Sequence, residues 1–163
     1  MATKIAVMRD GFIEQVSSPH DIFAKPNNIF VAGFIGTPQM NILDCKIIDI
    51  NSSILKIKSL NQEIEIDFGT SLNLNKDDSY YLGVRPRSFD IVDNNAKDNF
   101  SGKVDLIENM GAEVLVHVKI NDSTFRSVQN KSRQIKVGDS INLKPKKGLV
   151  HLFNKEGKVI RNE

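Results

Sequence analysis

One stretch near the start of the chain, residues 29–41 (IFVAGFIGTPQMN), constrains the fold more than any other. Its large apolar residues recur at i, i+1, i+4 and i+5, which places them on one helical face: Phe30, Val31, Phe34 and Ile35. Gly36 suits the position just past a helix C-terminus, and Pro38 prevents the helix from continuing. Because the run as a whole is apolar beyond this one face, we expect it to pack against another part of the protein or a second copy.

After residue 41 the apolar period changes from 3.6 to 2, which predicts strands. Ten segments fit: 42–50, 53–60, 62–68, 80–84, 103–107, 113–120, 125–129, 140–143, 149–153 and 158–161. Many short strands at intervals of about 8–12 residues, with no long helix, are typical of a β-barrel or sandwich. We predict a mainly β fold, an OB-like Greek-key barrel, whose strand order the pattern leaves open.

Residues 1–40 have a different pattern of turn and helix signals from the predicted barrel. Asp10-Gly11 between two apolar runs, 4–8 and 12–16, predicts a β-hairpin. Ser18-Pro19 then predicts the start of a short helix that Pro26 ends. A two-stranded hairpin is marginally stable alone, so we expect these strands to come from a larger sheet whose remainder is missing from this chain. The predicted domains are therefore 1–40 and 41–163.

The composition is that of a folded chain in a reducing compartment. With 40% hydrophobic and 26% charged residues, the 163-residue chain is neither disordered nor membrane-embedded. Residues 1–4 lack the apolar core of a signal peptide, which favours the cytoplasm. The single cysteine, Cys45, lies in an apolar stretch and is expected to be a buried small hydrophobe.

Charge is spread unevenly along the chain. The net charge is only +2, but residues 131–163 carry nine Lys/Arg against three acids, a net +6. This segment could bind an anionic partner, yet a solvated face is the favoured interpretation.

Motifs for independent catalysis are absent from the sequence. The three histidines (His20, His117 and His151) have no second His or Cys at metal-ligand spacing. No Walker A pattern occurs either: the 33–36 stretch lacks its lysine, and 138–147 lacks a second glycine in register. We therefore predict no catalytic residue, nucleotide site, metal site or cofactor within this chain.

Five segments together resemble the C-terminal part of the ATP-binding subunits of bacterial ABC importers, the maltose/sugar and glycerol-phosphate type. They occur in the family's order: KIAVMRDGFIEQV at 4–16, FVAGFIGTPQMN at 30–41, LGVRP at 82–86, ENMGAE at 108–113 and VHLF at 150–153. The resemblance implies that 1–40 is the end of an α/β nucleotide-binding domain and its junction helix. It implies that 41–163 is an OB-like, TOBE-like regulatory domain.

What the resemblance implies about function concerns the parent protein more than this segment. The full-length parent would be a transport ATPase using ATP and Mg to energise uptake of sugars or related solutes. Its partners would be a second ATP-binding subunit, the membrane-spanning permease subunits and a possible inhibitory regulator, with no nucleic acid. It would lie in the cytoplasm, peripheral to the inner face of the cell membrane. This segment would be a non-catalytic regulatory and dimerisation module.

The resemblance also implies a set of dimer or regulator contacts. These are Phe34, Gly36, Pro38, Met40, Arg85, Glu108, Gly111 and Glu113. Each could instead be structural, as core, cap, turn or surface charge. One departure bears on the set: the family's Arg-Pro is commonly followed by Glu and His, whereas Arg87-Ser88 stands here.

Two other functions remain open at the level of sequence. One is a small oxyanion-binding barrel of the molybdate type. The other is a single-stranded nucleic-acid-binding OB domain, for which Phe100, Phe125 and the lysines at 144, 146 and 147 could supply stacking and charge.

Overall fold

The computed structural model describes residues 3–76 and 78–161. The chain begins with the antiparallel hairpin of β1 (Ile5–Arg9) and β2 (Phe12–Ser17). Its turn residues, Asp10 and Gly11, have φ of 50° and 84°, the left-handed conformation that a tight two-residue hairpin needs at both positions. The predicted hairpin is therefore confirmed.

Two six-residue helices follow, α1 (Pro19–Ala24) and α2 (Ile29–Phe34). The Ser18 hydroxyl accepts the backbone N–H of Asp21 at 3.1 Å, and the Asn28 side chain accepts that of Val31 at 2.9 Å. Both helices thus begin at residue types that cap helix N-termini, and the start of α1 is the one predicted from Ser18-Pro19. Gly36 has a φ of 112° just beyond the end of α2.

Ten strands form the rest of the chain, in two antiparallel five-stranded sheets. The first sheet has the order β12-β6-β3-β4-β5 and the second β10-β9-β8-β11-β7. The bounds are β3 (Asn41–Asn51), β4 (Ile54–Ser59), β5 (Gln62–Asp67), β6 (Ser79–Val84), β7 (Phe89–Val92), β8 (Phe100–Asn109), β9 (Glu113–Ile120), β10 (Ser123–Asn130), β11 (Ser140–Pro145) and β12 (Val150–Phe153). Short 3-10 helices occupy Pro86–Ser88 and Lys131–Arg133.

One apolar core lies between the two sheets and takes residues from both. The alternation predicted for the strands is confirmed, since Val114, Val116, Val118 and Ile120 of β9 are all buried. Cross-strand pairs of apolar residues, Leu55 with Ile66 and Ile57 with Ile64, line the same core from β4 and β5. The mainly β fold class is therefore confirmed.

Side-chain amides join the two sheets at two places. The Asn41 amide donates to the carbonyls of Val84 and Arg126 at 3.1 and 2.9 Å, and its oxygen accepts the Arg126 N–H at 2.8 Å. The Gln62 amide likewise donates to the Ser101 carbonyl and accepts its N–H. Each amide satisfies backbone groups as a neighbouring strand would, so β3 is tied to β10 and β5 to β8.

The prediction of a strand at 158–161 is wrong. This segment makes only isolated bridges, Lys158 with Asn28 and Val159 with Phe153. It lies between the start of α2 and the end of β12 and has no continuous strand partner among the described residues, so its alternating pattern does not produce a ladder. The structure also adds a short strand, β7, that the sequence pattern did not predict.

Candidate interaction site at the junction of helices and barrel

Arg85, directly after β6, holds both helices against the barrel. One terminal nitrogen, Nη1, donates to the carbonyls of Ala32 (3.2 Å) and Ile35 (2.5 Å) in and after α2. The other, Nη2, donates to the carbonyl of Phe23 in α1 at 2.8 Å. These carbonyls lie in the last turns, where backbone oxygens lack helical partners and the helix dipole is negative. One guanidinium therefore donates hydrogen bonds at the C-terminal ends of both helices.

The Arg85 side chain is a buried charge with no acidic partner. Only 5% of the residue is exposed, and none of the carboxylates in the described part of the chain is within ion-pair distance. Its charge lies 4.0 Å from the ring centre of Phe23. Burial lowers the pKa of Arg85 to about 10, which leaves the group charged at neutral pH. The Nε atom is buried without a hydrogen-bond partner.

Gly36 provides the space that Arg85 occupies. A Cβ at this position would lie 2.9 Å from Nη1 of Arg85 and 3.1 Å from the Phe23 ring. The backbone φ of 112° is also one that residues with side chains rarely adopt. The structure thus brings together two of the predicted contact residues, Gly36 and Arg85, and gives each a structural role.

Of the other predicted residues at the junction, Met40 is in the interior and Phe34 on the surface. Met40 is 3% exposed and packs with Ala32 and Phe153. Phe34 is 65% exposed and stacks on Phe30 with ring centres 5.7 Å apart. Pro38, between them, is half-buried.

The prediction that Phe30, Val31, Phe34 and Ile35 share one packed face of α2 is therefore partly wrong. Val31 and Ala32 are fully buried, Val31 against the hairpin and Ala32 against the barrel. Phe34, placed on the packed face by its spacing, points away from both. In a helix of six residues, tertiary packing rather than spacing alone decides which side is covered.

The remaining predicted residues form a second group on the β8–β9 hairpin. His117 Nε2 donates to the Glu108 carboxylate at 2.5 Å, and Glu113 forms an ion pair with Arg87. Gly111 has a φ of 90° in the turn, where its N–H donates to the Asn109 side chain at 3.0 Å. The hydrogen bond from Arg87 lowers the pKa of Glu113.

Arg87 connects the two groups of predicted residues. It belongs to the 3-10 helix that begins one residue after Arg85, and its guanidinium reaches Glu113 at the start of β9. Arg87, which departs from the family pattern, therefore makes an ion pair with Glu113. Exposed Leu106 and Met110 accompany the hairpin group, and sequence alternation alone did not distinguish them from core residues.

The residues suggested for nucleic-acid stacking are not available on the surface. Phe100 and Phe125 are fully buried and pack against each other at 5.0 Å between ring centres. Lys146 and Lys147 pair with Asp90 and Asp67, so this part of the basic C-terminal segment is charge-compensated. Cys45 is buried as predicted, and burial raises the pKa of its thiol to about 12.

Comparison with known proteins identifies the class of domain. Residues 82–153 match the TOBE domain family. This range runs from β6 to β12 and includes Arg85 and the whole β8–β9 hairpin. The predicted TOBE-like character is thereby confirmed.

Similarity to individual proteins extends over nearly the whole chain. It is 35% identical over 164 residues to the uncharacterised ABC transporter ATP-binding protein YurJ of Bacillus subtilis, covering 96% of this chain and 44% of that protein. It is 32% identical over 167 residues to the maltose/maltodextrin import ATP-binding protein MalK of Vibrio vulnificus, covering 99% and 44%. It is 30% identical over 158 residues to the sn-glycerol-3-phosphate import ATP-binding protein UgpC 1 of Rhizobium etli, covering 95% and 40%.

A solved structure shares the fold. The cytoplasmic molybdate-binding protein ModG, crystallised with molybdate, superposes with a TM-score of 0.55 at 15% identity, covering 69% of this chain and 94% of ModG. At this identity the likeness concerns the fold alone.

The chain is therefore a relative of the ATP-binding subunits of ABC importers and carries a TOBE domain. It spans less than half the length of the curated relatives that it matches. No helix in the described ranges, 3–76 and 78–161, is long and apolar enough to cross a membrane.

Proposed function

We propose that this chain is the regulatory and dimerisation module of an ABC importer's ATP-binding subunit, non-catalytic as it stands here. The observation that carries the proposal is the Arg85 junction. It joins the segment 1–40, which we assign to the end of a nucleotide-binding domain, to the barrel at 41–163 through three hydrogen bonds. A displacement of α1 or α2 would therefore be transmitted to β6.

The hairpin surface supports the assignment of 1–40. One side of the hairpin packs on the helices through Val7, while Met8, Ile13 and Val16 are exposed on the strands. Exposed apolar residues in neighbouring positions mark surfaces that another element covers. We propose that the rest of a nucleotide-binding domain covers this side in the parent protein.

The parent would bind ATP and Mg and hydrolyse ATP to energise uptake of sugars or related small solutes. A second ATP-binding subunit, permease subunits and an inhibitory regulator would be its partners, at the cytoplasmic face of the cell membrane. A regulator would act by binding one arrangement of the subunits more tightly than another, because only differential affinity shifts an equilibrium.

The dimerisation proposal assigns contacts to Phe34 and to the β8–β9 hairpin around Glu108, Gly111 and Glu113. Light scattering over a concentration series tests it directly on the isolated chain. We expect the mass to rise from the monomer value of 18.3 kDa towards twice that value. Phe34→Ser and Met110→Ser should each lower the dimer fraction.

Val137→Ser is the matched control, since Val137 is 63% exposed but lies outside both groups. Equal loss of dimer in the control would contradict the assigned interface, and a strictly monomeric chain would contradict dimerisation by this module. ATP hydrolysis by the isolated chain would contradict its non-catalytic role.

A further inference from the structure

A second concave site lies apart from the dimer contacts proposed above, between the end of α1, the loop after β5 and strand β12. Its volume is about 330 Å³. An apolar part is formed by six residues: Phe68, Leu72, Val150, Leu152, Val159 and Ile160. The polar side chains are Lys25, Thr70, His151 and Arg161, and no carboxylate is among the lining residues. The cavity thus combines an apolar wall with a basic one.

Neutral groups, not acids, hold the Arg161 guanidinium in place. Its Nη2 donates to the carbonyl of Pro26 at 2.7 Å, and Nη1 donates to the Asn27 side chain at 3.4 Å. Within the described chain, neither Arg161 nor Lys25 has a carboxylate at ion-pair distance. A hydrogen bond from the hydroxyl that caps α1, and to a lesser degree the charge of Lys25, lower the pKa of the Asp21 carboxyl, although Lys25 and Asp21 form no direct ion pair.

His151 lies within the same positive field. Burial, then the charges of Arg85 and Arg161, lower the pKa of His151 to about 4, so the imidazole is neutral at pH 7. Arg85 itself is buried without an acidic partner, behind the segment that contains Ala24 and Lys25. Clefts lined by one sign of charge with apolar walls concentrate counter-ions.

We propose that this cavity binds a small organic anion, with its anionic head near Lys25, His151 and Arg161 and its carbon portion against the apolar wall. Lysine and arginine can donate charge-assisted hydrogen bonds to phosphate or carboxylate oxygens, and a neutral imidazole can donate one more. The volume is at the lower end of the range of small-molecule sites. The proposal depends only on this cavity and not on dimerisation.

The position of the site suggests what occupancy would do. Ala24 and Lys25 line the cavity immediately after Phe23, whose carbonyl Arg85 binds. An anion in the cavity would thus contact the same short segment that Arg85 holds at the junction. Binding would stabilise the junction in the arrangement seen here.

The test is an NMR titration of the ¹⁵N-labelled chain with butyl phosphate, butyrate, inorganic phosphate and butanol at constant ionic strength. We expect saturable shifts at the amides of Lys25, Thr70 and His151 with butyl phosphate or butyrate. The stronger of the two identifies the preferred head group. Inorganic phosphate should bind more weakly because it lacks the apolar portion, and butanol should leave these amides unchanged.

Charge variants then separate a built site from general attraction of anions. Lys25→Gln and Arg161→Gln should each weaken binding at least fivefold. Lys103→Gln removes an exposed lysine on β8 and should leave binding unchanged. Among the described residues the Lys25 side chain has no hydrogen-bond partner to lose, so its variant is expected to stay folded even if Arg161→Gln does not.

Three outcomes would overturn the proposal. The first is the absence of saturable shifts with both organic anions. The second is an equal loss of affinity in Lys103→Gln, which would indicate non-specific charge attraction. The third is saturable shifts confined to residues outside the cavity. Light scattering on the same samples reports the oligomeric state separately, so this failure is distinguishable from failure of the dimerisation proposal.

Discussion

At the scale of single residues, Arg85 joins both helices to the barrel through three hydrogen bonds. A charged donor that satisfies three carbonyls is worth more than a surface ion pair, because the carbonyls would otherwise be buried without partners. Its pairing with main-chain oxygens also explains how an arginine with no acid nearby stays charged. The neighbouring Arg87 offers a direct contrast, since it has the same chemistry in an exposed ion pair.

Arg85→Met should lower the free energy of unfolding by about 2–4 kcal/mol, because the carbonyls of Phe23, Ala32 and Ile35 lose their donor. Arg87→Met should cost less than about 1 kcal/mol, since exposed ion pairs contribute little. Urea denaturation at pH 7 measures both. Equal costs for the two variants would contradict the role assigned to Arg85.

His151 should make stability depend on pH. Its folded pKa, about 4, lies below the ordinary value of 6.5, so the unfolded chain binds the proton more readily. The stabilising effect of the neutral ring is complete above pH 6.5 and declines as the pH falls towards 4. The full decline is on the order of 3 kcal/mol.

The measurement is the difference in urea midpoint between pH 7 and pH 4.5, for the natural chain and for His151→Gln. We expect the natural chain to lose more stability than the variant over this interval. A matching loss in both would assign the pH dependence to other groups. Carboxylates with lowered pKa values, such as Asp67, contribute at lower pH and are present in both proteins.

At the scale of elements, α2 is short and is held mainly by tertiary contacts. It has only six residues, too few for stability by itself. Asn28 caps its start, Arg85 binds carbonyls at its end, and Val31 and Ala32 are buried on either side. Its outward side carries Gly33 and the exposed Phe34. A Cβ added at Gly33 would meet no other part of the described chain within 4 Å.

Gly33→Ala is therefore expected to raise the stability of the isolated monomer by up to about 1 kcal/mol, since alanine favours the helix over glycine. Thermal unfolding at low concentration measures this. Gly36→Ala is the contrasting variant and should destabilise, because its Cβ would clash with Arg85. A destabilising Gly33→Ala would indicate that a second backbone approaches α2.

At the scale of the whole molecule, the C-terminal segment ties the two predicted domains together. The Ile29 N–H donates to the Gly157 carbonyl at 2.8 Å, and the Val159 N–H donates to the Asn27 carbonyl at 2.9 Å. The Ile160 N–H donates to the carbonyl of Leu152 in the barrel. The segment thus bridges the start of α2 and strand β12. The boundary between residues 40 and 41 remains a prediction about domain origin, and contacts cross it extensively.

We expect the intact chain to unfold in a single transition. Protection of backbone amides from hydrogen exchange should be lost in 27–35 together with that in 113–120. Ending the chain after Phe153 should lower the stability by at least about 2 kcal/mol through the lost hydrogen bonds. In this shortened chain, the amides of 27–35 should also lose their protection from hydrogen exchange before those of the barrel do. Glu156→Gln, an exposed change in the same segment, is the control and should leave both values unchanged.

The local structure could be predicted because it depends on neighbouring residues. Asp10-Gly11 determines a turn that needs two positive φ values, and Ser18 caps α1 through the backbone N–H of Asp21 three residues later. The alternation in β9 places four residues in the core, since strand side chains point to opposite faces in turn. The family resemblance also depends on short segments in order, and the comparisons confirm it.

What the sequence determined by itself is thus the mainly β class, the hairpin, the start of α1 and the family. Only the tertiary structure decided the strand order, the exposure of Phe34, the failure of 158–161 to form a strand, and the burial of Arg85 among helix carbonyls. The physical reason is distance along the chain: Arg85 meets Ala32 across 53 positions, and Asn41 meets Arg126 across 85. No local pattern encodes contacts of that range. The stretch 29–41 indicated that something must cover an apolar helix, and the fold determined that an arginine, a hairpin and the C-terminal segment share that role.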